Sequence, residues 1–102
     1  MRIAVSCDKE QKLRSLGEAS HFAFHDADPQ NGRVVWKQTV DVPETPVAFL
    51  PQWIADRGTD IVLTAEVGPL ARRHLADQGV AILVGAEGIT ASRLLNALFA
   101  HC

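Results

Sequence analysis

The segment 60–88 constrains the fold of this chain more than any other part of it. It opens with Ile61–Thr64, an apolar and largely β-branched run that is typical of a strand buried on both faces. Pro69 favours the first position of a helix, where its missing N–H costs nothing, and Gly79 favours the end of that helix. A second apolar run at 80–84 predicts another buried strand. The segment therefore predicts a β-α-β unit with a right-handed crossover.

The chain before this unit predicts an antiparallel meander. Residues 2–7 predict a central strand, and residues 21–27 and 33–40 predict two further strands. The Asn-Gly pair at 31–32 predicts the hairpin turn between the last two, because these residues adopt positive φ angles easily. The polar connection 8–20 has few large apolar side chains to bury, so we expect its residues 9–20 to be the most mobile segment.

Three helices complete the predicted order, at 48–57, 69–78 and 90–100. The chain then reads β-β-β-α-β-α-β-α, which predicts an α/β protein with a five-stranded mixed sheet and helices on both faces. This is the order of the ribonuclease H-like fold. Ligands of such sheets bind beyond the carboxyl ends of the parallel strands, so the loops 64–69 and 84–89 are expected to form part of any site.

Length and charge narrow the class of protein. With 102 residues, of which 47% are hydrophobic and 22% charged, the chain is expected to be a single globular domain over 1–102. A net charge of −2 gives no electrostatic reason to expect nucleic acid or an anionic membrane as a partner. No apolar run approaches the roughly 18 residues of a membrane helix, and the run at 3–5 is too short for a signal peptide. We therefore expect a cytoplasmic protein.

Two stretches carry a resemblance to a known family: MRIAVSCD at the start, and LPQWIADRGTDIVLTAEVGPLARRHLADQGVAILVGAEG, with HFAFHDAD between them. Together they resemble the dinitrogenase iron–molybdenum cofactor biosynthesis family over nearly the whole chain. The resemblance implies a small carrier of iron–molybdenum cofactor or of a related metal–sulfur cluster, with a role related to nitrogen fixation and no catalysis. It also implies an anionic cluster, and a cofactor-assembly protein, as partners.

The chain departs from the family pattern in two loops. A His-Phe-Gly-Arg run is common in the family after the first strand, and the matching positions here are Ser15, Leu16, Gly17 and Glu18. Only the glycine is kept, so the family's imidazole is missing from this loop. The family's Gly-Gly-x-Gly-Pro turn matches 65–69, where a carboxylate replaces the second glycine.

Seven residues are candidates for contact with a cluster, and all lie in or beside the loops that follow the central strands: Cys7, Asp8, Ser15, Gly17, Glu66, Gly68 and Pro69. Cys7 is also the candidate metal ligand, because a thiolate suits the iron, copper or molybdenum of an iron–molybdenum or molybdenum/copper–sulfur cluster. The alternative role for Cys7 is that of a small buried apolar residue, which is the more common one for a free cysteine. No catalytic residue is predicted.

Histidines and basic residues offer further chemistry. His21 and His25 lie four residues apart on one strand, or roughly 13 Å, and cannot share a metal ion. His74 is expected at the edge of the core, and the terminal pair 101–102 (His-Cys) has metal-binding chemistry. Three cations at 9, 12 and 14 could attract an anion, but the acidic residues of the same loop favour a solvated surface.

Two other functions remain open at this point. A degenerate scaffold could bind only another protein. A metal-dependent phosphodiesterase could use Asp8 and Glu66, which follow adjacent strands, although two-metal chemistry requires further carboxylates that the first turns of the intervening helix do not supply.

Overall fold

The protein forms one five-stranded sheet with strand order β3-β2-β1-β4-β5, in a computed structural model that describes residues 1–28, 30–31 and 33–99. The strands are β1 (Arg2–Cys7), β2 (His21–Ala27), β3 (Val34–Asp41), β4 (Ile61–Thr64) and β5 (Ala81–Val84). The first three pair antiparallel, whereas β1 with β4 and β4 with β5 pair in parallel. This confirms the predicted mixed sheet of the ribonuclease H-like fold, with β1 at its centre.

Three helices cover the two faces of the sheet. They are α1 (Leu50–Asp56), which follows a 3₁₀ turn at Val47–Phe49, α2 (Pro69–Asp77) and α3 (Ala91–Phe99). Pro51 lies in the first turn of α1, the one part of a helix that tolerates it. The predicted boundaries agree with these bounds to within two residues, which is the usual uncertainty at element ends. Gly32 of the predicted hairpin turn, Ala100 and the pair 101–102 lie outside the described residues.

Strand alternation divides the core into two clusters. On one face, α1 and α2 bury Leu50, Ile54 and Leu75 against side chains of the central strands that include Phe22 and Phe24. On the other face, α3 packs Ala91 and Leu95 against the alternate residues of the same strands. Each strand of the centre therefore contributes to both clusters, because successive side chains point to opposite faces. None of the described helices is long and apolar enough to cross a bilayer.

Two buried hydroxyl groups join the central strands where both end. The hydroxyl of Ser6 lies 2.7 Å from that of Thr64 and donates to the carbonyl of Arg14 at 2.7 Å. The hydroxyl of Thr64 also lies within hydrogen-bonding distance of two carbonyl oxygens, of Arg14 at 3.2 Å and of Glu66 at 3.1 Å. Both side chains are fully buried. The network therefore holds the connection 8–20 against the carboxyl ends of β1 and β4.

The same connection is anchored elsewhere along its length. Leu13 and Leu16 are buried, and the backbone N–H of Leu13 donates to the carbonyl of Ile89 at 2.7 Å. The N–H of Ala91 donates to the carbonyl of Gln11 at 2.9 Å. These contacts anchor the segment at several points, and its mobility relative to the rest of the chain stays a prediction.

We predict that Thr64→Val lowers the free energy of unfolding by about 1–3 kcal/mol, because the buried polar atoms around it lose a partner while the shape is kept. Thr59→Val provides a matched control. Thr59 is also buried, but its hydroxyl has no hydrogen-bond partner among the described residues, so removing it should leave stability unchanged or raise it slightly. Urea unfolding of both variants measures the two effects. Equal losses in both would contradict the role of the network.

Candidate functional site

A cavity of about 580 Å³ opens on the α1–α2 face, beyond the carboxyl ends of β1 and β4. We call it the loop cavity. Its walls are the loop 15–18, the 3₁₀ turn with the start of α1, and the segment from Glu66 into α2, as far as His74. Four of the seven candidate residues line it: Ser15, Gly17, Glu66 and Gly68. The loop that follows β4 therefore lines the cavity as expected, together with the loop 15–18, whereas no residue of the loop 84–89 lines it.

Backbone hydrogen bonds hold the two loops together. The N–H of Leu16 donates to the carbonyl of Glu66 at 2.9 Å, and the N–H of Ala65 donates to the carbonyl of Arg14 at 3.1 Å. These bonds join the connection that follows β1 to the loop that follows β4. They fix Ser15 and Glu66 on the rim of the same cavity, although 51 positions separate the two in the sequence.

The two glycines of the loop cavity are not required by the fold. Neither has a positive φ, a Cβ atom on Gly68 would meet no atom within 4 Å, and one on Gly17 would meet only the Val47 side chain at 3.8 Å. A side chain at either position could therefore be accommodated by the protein itself. What the glycines provide is open space, through which a ligand can approach the backbone.

The beginning of α2 faces this space with free backbone donors. Gly68 is the N-cap residue and provides no side-chain cap, and Pro69 occupies the first helical position. Because the first N–H groups of a helix have no partner within it, Leu70 and Ala71 keep donors for a ligand, and the helix dipole favours an anion there. Pro69 has no N–H and does not line the cavity, so its contribution is to start the helix.

The side-chain charges at the loop cavity are negative. Glu18 and Glu66 both line it and are exposed, and each carboxylate disfavours an anionic ligand. The cations of the neighbouring loop are paired with acids: Arg14 lies 3.1 Å from Asp8 and 3.7 Å from Glu87, and Lys12 lies 3.3 Å from Glu10. The positive charges of Lys12 and Arg14 are therefore largely neutralised, as the mixed charges of the loop predict.

Asp8 organises the loop and does not line the cavity. One of its carboxylate oxygens accepts the backbone N–H groups of Glu10 at 2.9 Å and of Lys12 at 3.0 Å. The other accepts from the Arg14 guanidinium at 3.1 Å. The bond from Lys12, together with those from Glu10 and Arg14, holds the pKa of Asp8 below its usual value. Its acceptor positions are thus used within the protein.

Cys7 lies on the opposite face of the sheet from the loop cavity. Its side chain is fully buried in the α3 cluster beside Leu13, and its Sγ lies 3.7 Å from the carbonyl oxygen of His21. Burial raises the pKa of the thiol, which keeps it protonated near neutral pH. This environment favours the alternative of a small buried apolar residue. Ligation of a metal by Cys7 stays a prediction, and would require the thiol to become accessible.

The loop cavity contains the imidazole of His74, which the sequence pattern places at the edge of the core and not among the seven candidate residues. His74 is half-buried and lines the cavity, and its Nε2 lies 3.0 Å from Oε1 of Gln52 in α1. Its spacing of three and four from Ala71 and Leu70, which also line the cavity, could have indicated a shared face of α2. The spacing alone does not predict that this face lines a cavity, because that depends on how α2 packs against the two loops.

The other described histidines belong to the opposite face. His21 contacts Asp41 at 3.0 Å and the Ser20 hydroxyl at 2.8 Å, one through each ring nitrogen. His25 is buried beside a second cavity of about 470 Å³ between β3 and α3. Nowhere in 1–28, 30–31 or 33–99 do three His, Cys, Asp or Glu residues lie close enough to hold a metal ion together.

Similar proteins are known at the levels of sequence and of structure. The sequence profile of the dinitrogenase iron-molybdenum cofactor family matches residues 1–101. PH0822, known from a crystal structure, shares 27% sequence identity with this chain. The two structures align with a TM-score of 0.87 over 99% of this chain and 90% of that one. The apo form of the orange protein from Desulfovibrio gigas is 22% identical with a TM-score of 0.76, over 98% and 88% of the two chains.

A protein of Methanocaldococcus jannaschii, provisionally called a dinitrogenase, is 14% identical with a TM-score of 0.79, over 99% of this chain and 89% of that one. At such identities the last two likenesses show a shared fold alone. No protein with a curated description matches the chain. The family profile thus supports the resemblance seen in the sequence, and the structures support the fold.

We predict that the Cys7 thiol of the folded protein is unreactive toward a disulfide reagent at pH 8. In a Cys102→Ser background, where Cys7 is the one thiol, labelling should be roughly 100-fold slower than in urea, because it requires local opening of a core strand. Absorbance of the released thiolate measures both rates. Rapid labelling of the folded protein would instead show that Cys7 is accessible, as a ligand must be.

Proposed function

Because this chain belongs to the dinitrogenase iron–molybdenum cofactor family, we propose that it is a non-catalytic carrier of an anionic metal–sulfur cluster. The cluster is cargo, an iron–molybdenum or molybdenum/copper–sulfur species held in the loop cavity until it is passed on. One observation carries the proposal: loops from two central strands, which contain Ser15, Gly17, Glu66 and Gly68, form a cavity of about 580 Å³. The cavity lies where ligands of such sheets bind.

The residues of the loop cavity fit such cargo in part. The backbone donors at the start of α2 and the Ser15 hydroxyl can donate hydrogen bonds to sulfides, and His74 offers a nitrogen that suits iron or copper. Glu18 and Glu66 oppose a negative charge. We therefore propose that affinity is moderate and favours clusters of low net charge.

A partner protein is expected to receive or deliver the cluster at the mouth of the loop cavity. Leu70 is 83% exposed and Val47 is 53% exposed, and both line the cavity. Exposed apolar side chains beside a ligand site suit a surface that is covered during transfer. A cofactor-assembly protein that binds this rim would also exclude water from the cluster as it moves between the two proteins.

A second function rests on the same exposed residues. If the missing loop histidine and the added Glu66 have abolished cluster binding, the apolar rim would serve a scaffold that binds only a protein. Purification without oxygen, followed by metal and sulfide analysis and a visible spectrum, separates the two functions. The carrier should take up a thiomolybdate or the isolated cofactor with a change in its visible spectrum. Absence of uptake by the folded protein would overturn the carrier and favour the scaffold.

We predict that Ser15→His combined with Glu66→Gly strengthens binding of isolated iron–molybdenum cofactor. Removing the carboxylate should contribute about 1 kcal/mol at this partly solvated site, which is about fivefold in affinity. The added imidazole should contribute more, because it can bind a cluster metal directly. Anaerobic titration followed by visible absorbance measures both single variants and the pair.

Ser92→His is the matched control for this experiment, since it adds an imidazole to α3 on the other face of the sheet, beside the second cavity. Its affinity should equal that of the wild type. Equal affinities for wild type and the double variant would mean that the cluster does not bind in the loop cavity.

A further inference from the structure

The loop cavity has an imidazole on one wall although the family's loop histidine is absent from the other. Ser15 stands at the family's histidine position in the loop 15–18, and His74 lines the same cavity from α2. The two walls belong to segments far apart in the chain. A ligand in the cavity can therefore be contacted by an imidazole from the helix.

Hydrogen bonds fix which nitrogen of His74 carries the proton. In α1, Nε2 of Gln52 donates to Oδ1 of Asp56 at 2.7 Å. An ionised carboxylate only accepts hydrogen bonds, so the amide NH₂ faces Asp56 and the amide oxygen faces His74. That oxygen lies 3.0 Å from Nε2 of His74 and can only accept. His74 therefore carries its proton on Nε2, and in the neutral ring Nδ1 keeps the lone pair.

This arrangement is the one that proteins use to prepare a histidine for a metal. A ligating imidazole usually donates its second N–H to a carbonyl or carboxylate, which fixes the tautomer and increases the basicity of the ligating nitrogen. Gln52 provides the carbonyl here, and Asp56 orients Gln52. Within the described part of the chain no hydrogen bond engages Nδ1 of His74.

We infer that His74, oriented by Gln52 and Asp56, is the metal ligand of the cargo and takes the place of the missing loop histidine. The inference rests on the proposed function and narrows it to clusters with an exchangeable coordination position at iron or copper. In the binding step Nδ1 donates its lone pair to the metal, and the ligand that it displaces leaves. No atom changes oxidation state, and no proton is transferred.

Two probes test this assignment in anaerobic titrations. Tetrathiomolybdate has no open coordination position, whereas an iron–tetrathiomolybdate complex with two chlorides on iron exchanges them readily. His74→Gln should weaken binding of the iron complex roughly tenfold or more, with loss of chloride displacement, and should leave tetrathiomolybdate binding unchanged. His21→Gln, a control on the other face, should change neither affinity. Thermal unfolding confirms that both variants fold.

The outcomes separate this inference from the proposed function. If neither probe binds the wild type, the carrier function is overturned. If both probes bind and His74→Gln weakens neither, or weakens both equally, the carrier function stands and the assignment to His74 is overturned.

Gln52 is a positioning residue and has its own test. Gln52→Leu removes the acceptor of the Nε2 proton and should weaken binding of the iron complex several-fold. Gln52→Glu keeps an acceptor for that proton and should therefore keep most of the wild-type affinity. Long-range proton–nitrogen NMR of the free wild type should show a proton on Nε2 of His74. A proton on Nδ1 would overturn the inference, because that nitrogen could not then bind a metal.

Discussion

Two buried hydroxyl groups hold together the loops that form the loop cavity. Ser6 is the last residue but one of β1 and Thr64 is the last of β4, and their hydrogen bonds hold the carbonyl of Arg14 between them. The connection after β1 is thereby placed against the loop after β4, and Leu16 then bonds to Glu66 across the junction. The loop cavity exists because these two loops meet over the face that α1 and α2 leave partly uncovered. Without these hydrogen bonds the buried hydroxyl and carbonyl groups would have no partners, and the two loops would be less stable in contact.

If the proposed carrier function holds, the loop cavity would bind its cargo through few contacts. No three metal-binding side chains converge among the described residues, so cargo would be held by an imidazole and backbone donors acting singly. A ligand held in this way can leave when a partner offers a better set of ligands. The carboxylates of Glu18 and Glu66 act in the same direction by limiting affinity for a highly charged anion.

Much of the fold follows from local patterns, because β1, β4 and β5 are apolar runs bounded by turn residues and the helices begin or end at proline and glycine. The sequence placed four candidate residues after central strands, and these residues line the loop cavity: Ser15, Gly17, Glu66 and Gly68. Cys7 ends β1 but its side chain lies on the α3 face, and which face carries the cavity depends on helix packing. The place of His74 in the cavity could not be predicted from the sequence, because it depends on the contact between α1 and α2. Its hydrogen-bond partner Gln52 lies 22 positions away in the chain.

Amide NMR of the ¹⁵N-labelled protein during an anaerobic titration with tetrathiomolybdate would show whether cargo binds in the loop cavity. Binding there should give the largest shifts at 15–18 and 66–71, the two loops that line the cavity together with the start of α2. Residues of α3 and β3, around the second cavity, should move little. Shifts confined to α3 and β3, with the two loops unchanged, would contradict binding of cargo in the loop cavity.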